Sequence, residues 1–172
     1  MQLETLKDLY IHELQDLFSA ESQLIEALPL MAEAASHPDL KAVFESHLLE
    51  TQAHVTRLEE VLKLVGADTE GEKCKGMEGL LQEGQNLIEE EDDPEVLDAG
   101  LIVAAQKVEH YEIAGYGSVK AFAELLGEDE AVEILTTTLE EERTADEKLS
   151  HLAITAINVA ASDEDPSPAS NS

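Results

Sequence analysis

Apolar residues return at steps of three and four along four long stretches of this chain. Near the middle of each stretch a position in the repeat is taken by a residue that ionises. The first stretch reads Leu3, Leu6, Tyr10, Leu14, Leu17, Glu21, Leu24 and Leu28. The second reads Leu40, Val43, His47, His54, Leu58, Val61 and Val65, with Glu50 between the two histidines on the same side. The third runs Leu101, Ala105, Val108, Glu112, Gly115, Val119, Phe122 and Leu126, and the fourth Leu135, Leu139, Glu142, Asp146, Leu149 and Ala153. This spacing is the buried stripe of an amphipathic helix. Period-two alternation is not sustained anywhere, so the chain is expected to be all-α.

Helix stops and starts divide the 172 residues into one domain. The first helix is expected over residues 3–35, with Pro29 kinking it because proline lacks an N–H and crowds the preceding turn. "SHPD" then breaks the chain. The second helix is expected over residues 39–65, stopped by Gly66. "GADTEGEKCKG" reads as a loop and "MEGLLQEGQNLIEEE" as a short helix weakened by Gly79 and Gly84. "DDPEV" supplies an acidic cap and a first-turn proline for the third helix, which ends at Gly127. The fourth is expected over residues 129–160. Gly115 predicts close approach of a neighbouring helix. Tight turns join the first helix to the second and the third to the fourth. A long crossover carrying the short extra helix separates the second from the third. That is the connectivity of a ferritin-like four-helix bundle, assigned to residues 1–161. Residues 162–172, "SDEDPSPASNS", read as an acidic, Ser/Pro-rich, disordered tail.

The ionisable residues repeat between the two halves. Glu21 to Glu50 is 29 residues and Glu112 to Glu142 is 30. In each half a further donor follows four residues on, His54 after Glu50 and Asp146 after Glu142. Residues four apart stand above one another on one helical face. Five ionised carboxylates in an apolar interior are prohibitive unless they are protonated or hold cations. Two divalent cations would offset most of that charge, and His54 would complete the set as a neutral ligand. Carboxylate-rich donors with one or two imidazoles suit iron, with manganese as the alternative. Glu50 and Glu142 are expected to bridge; Glu21, His54, Glu112 and Asp146 are expected to be terminal. His47 reads as a hydrogen-bonded core histidine or an alternate ligand. Glu109 reads as a bridge or a rim residue. Tyr116, one turn beyond Glu112, is either core packing or a hydrogen-bond partner of a ligand carboxylate. No catalytic residue is expected apart from the metal ligands.

Composition excludes several partners. The chain has 39 acidic and 10 basic residues, a formal charge of -29. Nucleic acid and anionic membranes would be repelled. The surplus reads as adaptation to high salt, a halophilic signature in which screening tolerates self-repulsion. No stretch approaches the ~18 uninterrupted apolar residues of a membrane span. The opening "MQLETLKDLYIHELQDL" is polar and amphipathic rather than a signal peptide. Cys74 is the only cysteine, so no intramolecular disulfide can form, and a cytoplasmic location is expected.

The segments "ELQDLFSAESQLIEALPLM", "HLLETQAHVTRLEEV", "VEHYEIAGYGSVKAFAELLG" and "LEEERTADEKL" together resemble the YciE/YciF family of ferritin-like proteins, also known as a domain of unknown function. The resemblance spans residues 3 to 155. It implies a four-helix di-metal bundle, a homodimer, a link to stress responses, and ferroxidase-like activity by analogy. It implies that Glu21, Glu50, His54, Glu112, Glu142 and Asp146 are the matching metal positions. The better-known ferritin pattern places its Glu and His three apart; here the pairs are four apart and the second ends in Asp146. The expected function is therefore a di-iron carboxylate protein that oxidises ferrous iron or reacts with oxygen or peroxide. The alternative is a non-enzymatic acidic stress protein that binds metal or a partner.

Overall fold

Capping residues set where the helices begin. The computed structural model describes residues 3–90 and 93–162. Thr5 caps α1 (Leu6–Ala34): its hydroxyl accepts the Asp8 N–H at 3.1 Å, and the Asp8 carboxylate accepts the Thr5 N–H at 2.8 Å. This reciprocal box starts the helix after Leu3, which is 50 % exposed instead of joining the buried stripe. Pro29 lies inside α1, which continues to Ala34. Pro38 opens α2 (Pro38–Leu64) at the position where a missing N–H costs least. Gly66 follows α2 with φ +77°.

The crossover carries α3 (Lys75–Glu90), which begins two residues before the expected start. Asp93 caps α4 (Pro94–Leu126) by accepting the N–H groups of Glu95 and Val96. Gly127, at φ +74°, closes α4 in the left-handed conformation that costs glycine least. Helix α5 (Asp129–Leu152) widens into a π-helical turn at Ala153–Ile157 and continues as α6 (Asn158–Ser162). The long fourth helix expected from sequence is thus a continuous run with one widened turn. The described residues contain no strand. The expected tail falls outside them, except Ser162, which ends α6.

Helix α1 packs on α2, and α4 on α5. The two pairs meet along α1–α4 and α2–α5, and α3 lies against α1 and α4. Two apolar clusters result. One gathers Leu24, Leu28, Phe44, Leu101, Val108 and Leu149. The other gathers Tyr10, Leu14, Leu58, Tyr116, Val119 and Leu135. On each of the four long helices the gap between the clusters holds the ionisable residues.

Asp98 was not singled out in the sequence, yet it is buried. Its carboxylate accepts the N–H of Ser36 at 2.8 Å, the hydroxyl of Ser36 at 2.6 Å and the N–H of His37 at 2.8 Å. One acidic side chain on α4 therefore ties down the turn between α1 and α2. At Gly115 the expected close approach is present: a Cβ there would stand 2.7 Å from Leu17 Cδ2 of α1. Cys74 anchors the crossover. Its N–H donates to Ser19 Oγ at 2.9 Å, its carbonyl accepts from Gln23 at 3.1 Å, and its thiol donates to Asp16 at 3.1 Å. No helix among the described residues is long and apolar enough to cross a membrane.

Candidate metal centre

The buried face of α2 reads Leu40, Phe44, His47, Thr51, His54, Leu58 and Val61. Thr51, with no exposed surface, fills the step that the sequence reading gave to Glu50. Glu50 stands beside it with its side chain 30 % exposed. Helix α5 shows the same shift: Ala145 is buried, and the Asp146 side chain is 21 % exposed. A step of three and a step of four both stay on one helical face, 60° to one side or 40° to the other. Packing against the neighbours selects between them.

Six residues from four helices do converge. His54 Nδ1 lies 2.9 Å from Glu142 Oε1 and 3.3 Å from Glu21 Oε1. His47 Nε2 lies 3.3 Å from Glu109 Oε1 and 3.8 Å from Glu142 Oε2. Two groups of donor atoms, each within 4.8 Å of one another, could hold a cation: His47, Glu109, Glu112 and Glu142, and Glu21, His54 and Glu142. Glu142 belongs to both groups. The structure thus joins Glu21, His54, Glu112 and Glu142 with Glu109 and His47, and leaves Glu50 and Asp146 outside these groups. Asp146 accepts from Gln106 Nε2 at 3.0 Å and lies 3.5 Å from His110 Nδ1. Glu50 lies 3.3 Å from His47 Nδ1 and 3.7 Å from Lys148 Nζ.

A second layer orients the first. His54 Nε2 meets Glu141 at 2.9 Å, and Arg57 Nη2 donates to the other oxygen of the same carboxylate at 3.1 Å. With Nε2–H directed at Glu141, Nδ1 is the nitrogen turned toward Glu21 and Glu142. Tyr116 donates its hydroxyl to Glu21 while its ring packs in the second apolar cluster, so both readings of this residue apply. Glu141 and Arg57 are not among the candidates legible in the sequence. Their only local signal is position: Glu141 adjoins Glu142, and Arg57 follows His54 by three residues.

Burial dominates the electrostatics. It raises Glu112 and Glu109 well above the ordinary carboxylate range, and neighbouring carboxylates push both further in the same direction. Glu21 is raised by burial, against the opposing pull of His54. Burial disfavours charge on His54, but its contacts with Glu142 and Glu21 outweigh that and raise it to about 10. Outside the layer the sign reverses. The hydrogen bond from His47 lowers Glu50, and that from Arg57 lowers Glu141.

Both oxygens of Glu112 and of Glu142, one oxygen each of Glu21 and Glu109, His47 Nε2 and His54 Nδ1 are buried without a hydrogen-bond partner. The His54–Glu142 and His47–Glu109 approaches are at ion-pair distance without hydrogen-bond geometry. Native interiors leave few polar groups unsatisfied. Eight such atoms facing one another in a single layer fit a bound cation, and their oxygen-rich, imidazole-containing set fits iron or manganese.

Residues 5–162 match the family model described as Domain of unknown function (DUF892). The chain belongs to the DUF892 family. It is 45% identical over 159 residues to Protein YciF of Escherichia coli strain K12, spanning 92% of this chain and 96% of that protein. The crystal structure of the E. coli stress protein YciF aligns with a TM-score of 0.87, covering 90% of this chain and 98% of that one. YcfI from Rhodopseudomonas palustris, 44% identical, aligns at 0.84 over 87% of this chain and 95% of its own. A Xanthomonas campestris protein at 23% identity shares the fold, with a TM-score of 0.73 over 91% of this chain and 96% of its own.

Proposed function

We propose that this DUF892 member is a ferritin-like four-helix bundle holding two metal ions, iron first and manganese as the alternative. We propose further that it acts in stress response, oxidising ferrous iron or reacting with oxygen or peroxide. One observation carries the reading: unpartnered carboxylate and imidazole atoms from all four long helices meet in one buried layer and share Glu142. The stress role rests on likeness to the E. coli relative, which is described as a stress protein. The cytoplasmic location and the homodimer belong to the same proposal.

Redox-active iron, once bound, would supply electron transfer to oxygen or peroxide. The chain's own part is positional. Glu142 would serve both ions. Glu21 and His54 would hold one, and His47, Glu109 and Glu112 the other. Glu141 and Arg57 fix the ring of His54, and Tyr116 fixes Glu21. The apolar clusters on either side exclude water from the layer. Glu50 and Asp146, the remaining sequence candidates, take outer places beside His47 and Gln106.

Metal content of the purified protein, before and after anaerobic loading with ferrous iron, tests this beside Glu142→Gln. About two ions per chain, falling sharply in the variant, is the expected result. No metal in the wild type after loading would end the proposal. Tight binding without oxygen- or peroxide-dependent turnover would favour the non-enzymatic metal-holding role.

A further inference from the structure

Two cavities lie in series between the surface and the ionisable layer. The outer one, about 30 Å³, sits among α1, α3 and α4, with Leu30, Leu81, Ile88 and Ala104 in its wall. Leu30, 52 % exposed, marks its mouth. The inner one, about 10 Å³, lies among α1, α2, α4 and α5, with Leu28, Phe44, Ala105 and Leu149 in its wall. Met31 and Val108 line both, so the two cavities share a partition. Gln85, whose amide donates to Glu89, is the one polar side chain on the outer wall, and at the inner end the lining reaches His47 and Glu109, two members of the buried layer.

We propose that these cavities are a binding place and route for a small apolar molecule of dioxygen's size, delivered to the layer at His47 and Glu109. The inner volume is at the lower bound for one water-sized molecule, so a larger guest enters only as the side chains around it move. The inner walls offer hydrogen bonds only at the two inner residues. Peroxide would give up its bonds to water along such a path, whereas dioxygen has none to lose. Met31 supplies the moving part: an unbranched thioether chain changes rotamer readily and can open the partition. The crossover helix gains a purpose, since α3 forms one wall of the outer cavity. The inference that the oxidant is dioxygen rather than peroxide rests on the di-metal reading; the apolar binding place does not.

Dissolved xenon tests the binding place on metal-free protein, read by methyl NMR. The expected result is saturable shifts at Leu28, Val108 and Leu149, with none at Leu14 or Leu58 in the other cluster. Val108→Phe fills the partition and Ala145→Leu fills the inner cavity from α5. Either variant that keeps the helical circular dichroism of the wild type should lose those shifts. No saturable xenon shift in the wild type, or undiminished shifts in both variants, overturns the proposal. On ferrous-loaded protein with normal metal content, Val108→Phe should slow the reaction with oxygen by about tenfold, and more than it slows that with peroxide. Equal oxygen rates in variant and wild type would overturn the delivery role. A chain that takes up xenon but binds no iron would overturn the metal reading and keep the cavity.

Discussion

Glu112 exposes no surface, and neither of its oxygens has a hydrogen-bond partner. Without metal, its charge is opposed by burial and by Glu21, Glu142 and Glu109 together. A buried polar group without a partner carries its full desolvation cost, which an apolar side chain of similar size does not. Glu112→Leu should therefore stabilise the metal-free protein at pH 8 by about 1–3 kcal/mol while weakening metal binding. Urea unfolding in chelator, followed by calorimetric metal titration, checks both halves; lost stability without metal would remove Glu112 from the strained layer. Glu141 acts through another residue. Glu141→Leu should lower metal affinity about 10–100-fold, because the His54 ring loses the partner that orients it. Glu141→Gln keeps an oxygen for Nε2–H and should restore most of the affinity. Equal loss in both variants would mean that the carboxylate's charge matters, not its aim.

Among the elements, the corner between α1 and α2 depends on a residue from a third helix. Asp98→Ala removes the acceptor for two backbone N–H groups and a hydroxyl. The cost should be about 3 kcal/mol, since hydrogen bonds to a charged group are worth more than neutral ones and the donors would stay partly buried. Chemical denaturation measures it; a change within about 0.5 kcal/mol would show that water replaces the carboxylate. The helix ends themselves were largely legible. Pro38, Asp93, Gly66 and Gly127 act locally, through φ angles and caps, so a single strand of sequence carries their meaning. Asp98 was not legible, because its partners lie more than sixty residues away. Thr5 and Asp8 were legible in principle: a hydroxyl followed by an acid three residues later is a cap signature, and it marks the start that the apolar repeat placed too early.

For the whole molecule, pH and salt act through the same charge surplus. Glu21, Glu109 and Glu112 are raised by folding above their ordinary value of 4.5. Their contribution to stability is full below that value and is lost as pH rises through their folded values. His54, raised from 6.5 to about 10, adds in the same sense: its contribution is intact below 6.5 and fades as pH climbs through about 10. Metal-free protein should thus lose thermal stability as pH rises from about 5 to about 10. Metal competes with those protons, so the added stability on metal binding should grow over the same range. Parallel melting curves with and without metal would contradict the placement of the ligands. With a formal charge of -29, metal-free protein should also gain melting temperature as sodium chloride screens its self-repulsion. A flat response would remove the high-salt reading of the surface.

The sequence by itself determined the number and approximate span of the long helices, the long crossover with its short helix, and the level at which ionisable residues enter the core. Each of these follows from periodicity and from residues acting on their own backbone. Tertiary structure decided the rotation of α2 and α5. Thr51 and Ala145 turn inward where Glu50 and Asp146 were expected, and His47 and Glu109 join the buried layer. A 3.6-residue turn places positions three and four residues on to either side of the same line, so one helix read alone fits both choices. Only its neighbours, through the volume they leave and the partners they offer, break the tie.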